Sequence, residues 1–362
     1  MSLESSAGMI VETGSTRQPA MRLRNISELR LIFAGSVVLS HAASLLGGDS
    51  QYWLRVILNS EAAVQGFFIL SGYLVCGSYD RLRSPRAFYT RRLLRLYPAY
   101  AVAVLLFITL GIAQALWLGN RVHWAELPSY LAANLTTLNF LKHDVGGVFA
   151  ANPIDVVNGA LWSIKVELMF YASLPLLFWI GRRASFLALS AALIIAGVLW
   201  WPVLNWAGAM WGIVPPLSFK FQLPGQIHFF ALGMALFARS RGYIALPALI
   251  ALIAGALVLL AFLGEGREAA NAFILVMLIA IVSAMPQIPD IFRGQDISYG
   301  IYLCHFPLIQ LLIAAGAGQL PFPLYLGIVV VLSILYGLAS WRWIERRALA
   351  GKKPASPLPA VN

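Results

Sequence analysis

The chain has 362 residues, of which 60% are hydrophobic and 11% charged, and its formal net charge at pH 7 is +11. A mean hydropathy of +0.77 excludes an ordinary soluble domain, because so apolar a chain cannot stay in water unless most of it is buried in lipid. The composition therefore predicts an integral membrane protein.

Apolar runs long enough to cross a bilayer recur along the whole chain. A transmembrane helix needs about 20 mainly apolar residues, and the sequence offers ten such runs, of which the sixth is short. They cover 26–46, 56–77, 97–118, 161–180, 185–204, 224–238, 243–263, 269–285, 297–316 and 323–343. The predicted fold is all-α, a polytopic membrane helical bundle of about ten transmembrane helices.

Basic residues are distributed unevenly over the predicted loops. With a cytoplasmic N-terminus and ten alternating helices, most arginines fall in cytoplasmic loops. The outer loops keep Arg55, Arg121, Lys142, Lys220 and Arg267. This asymmetry follows the positive-inside rule and predicts that both termini are cytoplasmic. The net charge is thus explained by membrane topology, and we expect the bilayer, not nucleic acid, as a partner.

The two ends of the chain differ in composition from its centre. Residues 1–20 lack the short apolar core and cleavage site of a signal peptide, and 348–362 is a proline-rich tail. Both are predicted to be disordered cytoplasmic segments that flank a membrane domain at 21–347. Cys76 and Cys304 lie in separate predicted helices, so we expect neither a disulfide framework nor a metal site.

The first predicted helix carries a cation and an imidazole inside an apolar segment. Arg30 and His41 are eleven residues apart, so on an α-helix both point off one face, about 16 Å from each other. Such side chains are costly in lipid and usually face a protein interior or a water-filled cavity. A snorkelling arginine and a hydrogen-bonded core histidine are the alternative. We interpret His41 as the chemical centre and Arg30 as its partner nearer the cytoplasm.

Small residues interrupt the bulky second predicted helix. Gly66, Ser71 and Gly72 allow another helix or a ligand to approach the backbone closely. Ordinary helix packing would explain them equally well.

An arginine-rich segment follows, from Tyr79 to Pro98, and is predicted as a short cytoplasmic loop leading into the third helix. It holds more cations than topology requires. Its arginines are Arg81, Arg83, Arg86, Arg91, Arg92 and Arg95. The last three fall at helical spacing, and guanidinium groups bind phosphate in bidentate fashion. A phosphorylated cytosolic ligand and anionic lipid head groups are the two competing partners.

The longest connection between predicted spans, at 119–159, lies on the outer side. Its part at 127–141 is amphipathic and is expected to lie at the outer surface rather than to span. Long loops are often functional, so we assign this one a general role in covering the outer mouth of a cavity.

The fourth predicted helix carries ionisable residues near its outer end. Ser163 and Glu167 are four apart and share a face, whereas Lys165 points away from both. A carboxylate inside a membrane is a candidate for a functional site. Glu167 could hold an imidazolium, orient His41 or accept a proton. A salt bridge to Lys165 or Arg55 that merely ties helices together is the alternative.

The ninth predicted helix opens with polar and aromatic residues. Tyr302 and His305 are three apart and can share a face. Pro307 lacks a backbone N–H, so it should loosen the helix there and free a backbone carbonyl.

Taken in order, five motifs make the sequence resemble the acyltransferase 3 family of integral membrane acyltransferases. They are Arg30 with ten residues to His41, Phe67–Leu74, Phe88–Tyr100, Leu161–Tyr171 and Ile297–Pro307. The ordered set, rather than any single motif, carries the resemblance over nearly the whole chain. Two positions depart from the family pattern: Gln65 stands where many members have Asp, and Leu168 where many have a second Glu.

The resemblance implies an O-acyltransferase of the bacterial cytoplasmic membrane, in the standalone form without a fused extracellular domain. Cytosolic acyl-CoA, most commonly acetyl-CoA, would be the co-substrate, with no permanently bound cofactor. A hydroxyl of a surface or secreted glycan or glycolipid would be the acceptor. His41 would be the catalytic histidine, with Arg30 and Glu167 as its partners. The residues expected to hold the CoA phosphates are Arg91, Arg92 and Arg95.

Two mechanisms remain open at this stage. His41 removes the proton of the acceptor hydroxyl as a general base, or it is acylated first and passes the group on. Residues that would donate to the oxyanion or support the catalytic group are Ser71, Ser163, Tyr302 and His305. The competing function is a polytopic transporter or flippase with a buried His/Arg/Glu pathway. Its usual mark, two repeated halves with matching broken helices, is not evident in the sequence.

Overall fold

The computed structural model describes residues 23–46, 52–289, 291–292 and 294–350, and these ranges contain helices and connections but no strand. The predicted terminal segment 1–20 lies outside the described residues. So does 348–362, apart from 348–350 at the end of the last helix.

The helices follow one another in a single bundle. They are α1 (Ile26–Leu46), α2 (Tyr52–Ile57), α3 (Ser60–Leu82), α4 (Pro85–Trp117), α5 (Leu127–Leu135), α6 (Trp162–Arg183), α7 (Phe186–Trp211), α8 (Leu223–Ser240), α9 (Leu246–Phe262), α10 (Gly266–Ala284), α11 (Ser298–Ala314), α12 (Phe322–Ser340) and α13 (Arg346–Ala350). Short 3₁₀ turns occur at Trp124–Glu126, Leu217–Phe219 and Ala317–Gln319, and a π-helical turn at Trp341–Glu345 joins α12 to α13.

Each of the ten predicted spans overlaps one of these helices, namely α1, α3, α4 and α6 to α12. In the described ranges eight helical segments are long and apolar enough to cross a membrane, and α9 and α11 are shorter at 17 residues each. The prediction of an all-α, polytopic membrane bundle is confirmed.

The arginine-rich segment is mostly helical rather than a loop. α3 continues to Leu82, and the side chain of Ser84 caps α4, whose first residue is Pro85. Serine at the cap followed by proline is a favoured helix start. Hydropathy detects only the apolar part of a helix, so the predicted start at 97 was about three turns too late.

Glycine lets α3 and α8 approach each other backbone to backbone. A Cβ atom on Gly72 would overlap the carbonyl oxygen of Phe230, and one on Gly233 would overlap that of Ile69. The prediction that small residues of the second span admit another helix closely is confirmed at Gly72.

The long connection between α4 and α6 folds back along the bundle instead of only covering it. Tyr100 of α4 donates a hydrogen bond to the carbonyl of Asn134 at the end of α5, at 2.7 Å. Further on, the Asn158 amide donates to the carbonyl of Leu303 in α11, at 2.9 Å. Val157 and Leu161 are buried. The last part of this loop therefore lies between the helices, beside the first two turns of α11.

Candidate active site

A cavity inside the bundle, here called the inner cavity, brings together most of the predicted site residues. Its empty volume, including its mouth, is about 720 Å³, and α1, α3, α4, α6 and α11 all contribute to its wall. The predicted residues that line it are Arg30, Ser71, Arg92, Arg95, Ser163, Glu167 and Tyr302. Residues distant in sequence thus share one space. Arg91, His41 and His305 lie outside its lining.

A second, open space lies at the arginine-rich end of the bundle, and we call it the basic pocket. Its lining residues are Ser78, Arg81, Arg91, Arg92, Leu94, Arg95 and Leu349. Arg92 and Arg95 line both spaces, so their side chains stand between the basic pocket and the inner cavity. An anion in the basic pocket would contact the same guanidinium groups that form the cavity's entrance.

Arg92 and Arg95 differ in their partners. The Arg92 guanidinium lies 5.8 Å from the ring centres of Phe88 and Tyr171. Among the described residues no carboxylate forms an ion pair with Arg92, and its Nε is buried without a hydrogen-bond partner. Its positive charge therefore remains available to an anionic ligand.

Arg95, in contrast, is held by two carboxylates. It lies 2.6 Å from Oδ2 of Asp296 and 2.8 Å from Oε2 of Glu345. Arg30 reaches the same Asp296 oxygen at 2.8 Å. Asp296 thus ties α1 to α4. The sequence reasoning missed both acids, although Asp296 directly precedes the Ile297–Pro307 motif and Glu345 is the second residue after the last apolar span.

Glu167 lies in the wall of the inner cavity. Its Oε1 accepts a hydrogen bond from Ser71 at 3.2 Å and another, short one from the Tyr171 hydroxyl. The first bond connects α3 to α6, and the second lies within α6. The structure does not bring Glu167 into hydrogen-bond contact with His41, whose side-chain partner is His305. The assignment of Glu167 as partner of the imidazole stays a prediction.

The alternative role of Glu167, a helix-tying salt bridge, has less support. Lys165 turns away from the cavity and donates to the side-chain oxygen of Gln222 at 2.6 Å. The side chain of Arg55, the other partner considered, lies outside the described set.

His41 and His305 meet across the α1–α11 interface. Nδ1 of His41 lies 2.9 Å from Nε2 of His305, and Nδ1 of His305 lies 2.7 Å from the carbonyl oxygen of Tyr302. His305 is fully buried and His41 half-buried. The ring of Phe306 packs edge-on against His41, with 5.6 Å between ring centres. The predicted chemical centre is thus one of a hydrogen-bonded pair of histidines.

Pro307 shapes α11 just beyond this pair. Because proline has no N–H, the carbonyl four residues earlier, that of Leu303, loses its helical partner. Asn158 of the long loop supplies a replacement donor at 2.9 Å. The prediction that Pro307 frees a carbonyl is confirmed, and the freed group anchors the loop beside the histidines.

Ser163 and Tyr302 form a closed set of hydrogen bonds. Their hydroxyl oxygens are 2.6 Å apart, and both lie near the Ala160 carbonyl, at 3.3 and 3.0 Å. Two hydroxyls have two hydrogens, and one bond between them plus one to the carbonyl uses both. In this arrangement neither has a hydrogen left for an oxyanion, so their role as oxyanion donors stays a prediction.

Comparison with known proteins gives matches over most of the chain. "Nodulation protein 10" of Rhizobium leguminosarum bv. viciae is 29% identical over 326 residues, covering 81% of this chain and 84% of that protein. "O-acetyl transferase" of Shigella phage Sf6 is 24% identical over 343 residues, covering 90% of this chain and 96% of that protein. No solved structure matches the chain significantly.

A family model described as an acyltransferase domain matches residues 24–342. This range includes the inner cavity, the paired histidines and the carboxylate that holds Arg30. The match therefore covers all helices from α1 to α12 and ends within the π-helical turn that follows. The chain therefore belongs to the acyltransferase 3 family, as its ordered motifs indicated.

Proposed function

We propose that this protein moves an acyl group, acetyl in the first instance, from cytosolic acyl-CoA to a hydroxyl of a surface or secreted glycan. One observation carries the proposal: the open basic pocket and the inner cavity share the arginines that separate them. Family membership and the name of the phage relative support O-acyl transfer, and favour it over the transporter interpretation.

The donor would bind with its phosphates in the basic pocket. Arg92 and Arg91 would contact the phosphates, because guanidinium groups bind phosphate oxygens through paired, charge-assisted hydrogen bonds. Arg95 already forms ion pairs with Asp296 and Glu345, so we assign it mainly a structural role at the entrance of the inner cavity. The acyl-carrying arm would pass between these arginines into the inner cavity, along an apolar wall that includes Phe68.

The chemical step would take place beside the paired histidines. Tyr302 lines the inner cavity, and its ring centre is 5.6 Å from that of His305. The acceptor oxygen attacks the thioester carbonyl carbon while its proton moves to Nε2 of His41. The C–S bond then breaks, and the leaving thiolate takes that proton from His41. A positioned general base of this kind contributes about 10²- to 10⁴-fold to the rate.

Binding of acetyl-CoA to detergent-purified protein, measured by calorimetry, tests the donor. We expect Arg92→Ala to weaken binding about tenfold to 100-fold, since a charged hydrogen bond contributes about 1.5–3 kcal/mol. Arg183→Ala is the matched control, because that exposed arginine stacks on Trp179, 4.5 Å from the ring centre, outside both spaces. Absence of binding by folded wild-type protein would refute an acyl-CoA donor.

A thiol-release assay with acetyl-CoA and candidate glycans tests the catalytic residue. We expect His41→Ala to bind acetyl-CoA as wild type does and to release CoA at least about 100-fold more slowly in the presence of acceptor. Turnover at the wild-type rate in His41→Ala would remove His41 from the reaction and leave the binding result standing.

A further inference from the structure

The hydrogen bond from His305 to the backbone fixes where its proton lies. A carbonyl oxygen can only accept, so Nδ1 of His305, 2.7 Å from the Tyr302 oxygen, must carry a hydrogen. The other tautomer would set two lone pairs against each other at this distance. The neutral His305 ring therefore has its lone pair on Nε2.

That lone pair determines the state of His41 in turn. Nε2 of His305 faces Nδ1 of His41 at 2.9 Å, so Nδ1 of His41 must donate. The ring planes are only 10° apart. The ring centres are 5.1 Å apart and the two facing nitrogens 2.9 Å, and the difference is about two ring radii, as expected when both nitrogens lie on the line between the centres. The rings thus meet edge to edge, nearly coplanar, which is the favourable geometry for an N–H···N bond.

The hydrogen on Nδ1 determines the protonation state of the second ring nitrogen of His41, Nε2. With the hydrogen on Nδ1, Nε2 of the neutral ring is an unprotonated base. Among the described residues none forms a hydrogen bond with this nitrogen. His41 retains exposed surface, whereas His305 has none. The buried ring of His305 therefore fixes the position of the hydrogen on His41, and the accessible ring of His41 presents its lone pair.

We propose that His305 is a positioning residue that fixes the tautomer of His41, so that Nε2 of His41 faces the reacting groups as a base. The catalytic part of this role depends on the proposed acyl transfer, whereas the tautomers of the two histidines follow from their contacts alone. When Nε2 takes up the acceptor's proton, the bond from Nδ1 to His305 becomes charge-assisted and therefore stronger. His305 then stabilises the imidazolium without touching the substrate.

The contacts of His305 do not suit it to be an oxyanion donor. Its single hydrogen is used by the Tyr302 carbonyl and its lone pair by His41. A second proton on Nε2 would force His41 to place its own hydrogen on Nε2 and would remove the base. A neutral His305 with both nitrogens occupied is therefore the state that keeps His41 reactive.

Ring ¹⁵N chemical shifts test the tautomers directly. Full-length protein labelled with ¹⁵N-histidine, in lipid nanodiscs and without substrate, contains five histidines, and His41→Gln and His305→Gln assign the two signals. We expect both rings to be neutral with the hydrogen on Nδ1. A wild-type spectrum with the hydrogen of His41 on Nε2 would overturn the proposal. If neither variant folds, a wild-type spectrum in which fewer than two of the five rings carry their hydrogen on Nδ1 would also overturn it. Because the measurement needs no substrate, a failed transfer assay would refute the proposed function alone.

Kinetics test the consequence for the reaction. His305→Leu removes the nitrogen that accepts the hydrogen bond from His41, so the hydrogen of His41 is no longer held on Nδ1. We expect the ¹⁵N shifts of His41 to lose the pattern of an Nδ1–H ring. We also expect kcat to fall about tenfold to 100-fold, with KM for acetyl-CoA unchanged. In His305→Gln a side-chain oxygen can still accept from His41, and we expect most of kcat to return. The exposed His143→Gln is the control, and neither quantity should change in it. An unchanged kcat and His41 signal in His305→Leu would contradict the proposal.

Discussion

Asp296 forms ion pairs with arginines of two helices, α1 and α4, and replacing it with asparagine should show how much these pairs contribute to the free energy of unfolding. Its Oδ2 faces Arg30 at 2.8 Å and Arg95 at 2.6 Å, and its Oδ1 accepts from Ser298 at 2.6 Å. Asp296→Asn keeps the shape but removes the charge. Two guanidinium groups would then face each other across a neutral amide.

The expected cost follows from the burial of this cluster. Removing one partner of a fully buried ion pair costs about 3–5 kcal/mol, because the other charge is left uncompensated. Here the side chains of Asp296, Arg30 and Arg95 are 22%, 23% and 15% exposed, so water screens part of the interaction. We therefore expect a loss of about 2–3 kcal/mol in the free energy of unfolding. For a chain of this size that corresponds to a fall in Tm of about 3–4 °C.

Thermal unfolding of the purified variants in one detergent measures this loss. Asp155→Asn is the control, since Asp155 is an exposed loop residue without an ion pair among the described contacts, and its Tm should stay within about 1 °C of wild type. If Asp296→Asn unfolds at the same temperature as Asp155→Asn, the ion pairs contribute nothing and the reasoning is wrong. Combining Asp296→Asn with Arg30→Gln should recover part of the loss, because Asp296 is the carboxylate that pairs with Arg30 and no other ion pair of Arg30 occurs among the described residues.

Two further predictions concern the bundle interface and the long loop. Gly72→Ala sets a Cβ against a backbone oxygen of α8 and should reduce the yield of monodisperse protein. Gly77→Ala is the control, because its Cβ would lie 3.8 Å from its nearest neighbour, and its yield should not fall. Equal yields of the two variants would contradict the backbone contact. In the loop, the hydrogen bond from Lys142 lowers the pKa of Glu126 to about 2 from an ordinary 4.5, so the bond stabilises the loop above pH 4.5 and is lost as the pH falls through about 2. Titration of the Glu126 carboxyl by ¹³C NMR should show a higher midpoint in Lys142→Met, and an unchanged midpoint would refute the assignment.

The bundle could be predicted because membrane spans are defined by local composition. Ten apolar runs overlap ten helices, and the helical repeat placed Ser163 and Glu167 on one face of their helix, where both line the inner cavity. Hydropathy fails where a helix leaves the lipid, which is why the cationic first turns of α4 were predicted as a loop. It also fails for residues such as Val148 and Phe149, which are buried in a connection too short and irregular to register as a span.

Partners across the bundle lay beyond sequence reasoning for a different reason. Periodicity tells which face of α1 carries His41, but not which residue of another helix stands opposite. The pairing with His305 spans 264 positions, and that of Arg95 with Glu345 spans 250. Both depend on how α11 and α12 pack against the N-terminal helices. An acid beside a predicted span, such as Asp296, could have been noted, but its two arginines could not have been chosen.

The way the long loop is anchored links its position to the paired histidines. Asn158 bonds a carbonyl that Pro307 frees in α11, and a Cβ on the neighbouring Gly159 would lie 2.8 Å from the ring of Phe306. Phe306 in turn packs edge-on against His41. Densely packed groups of this kind do not shift independently, so the loop cannot leave α11 without loosening the packing around His41.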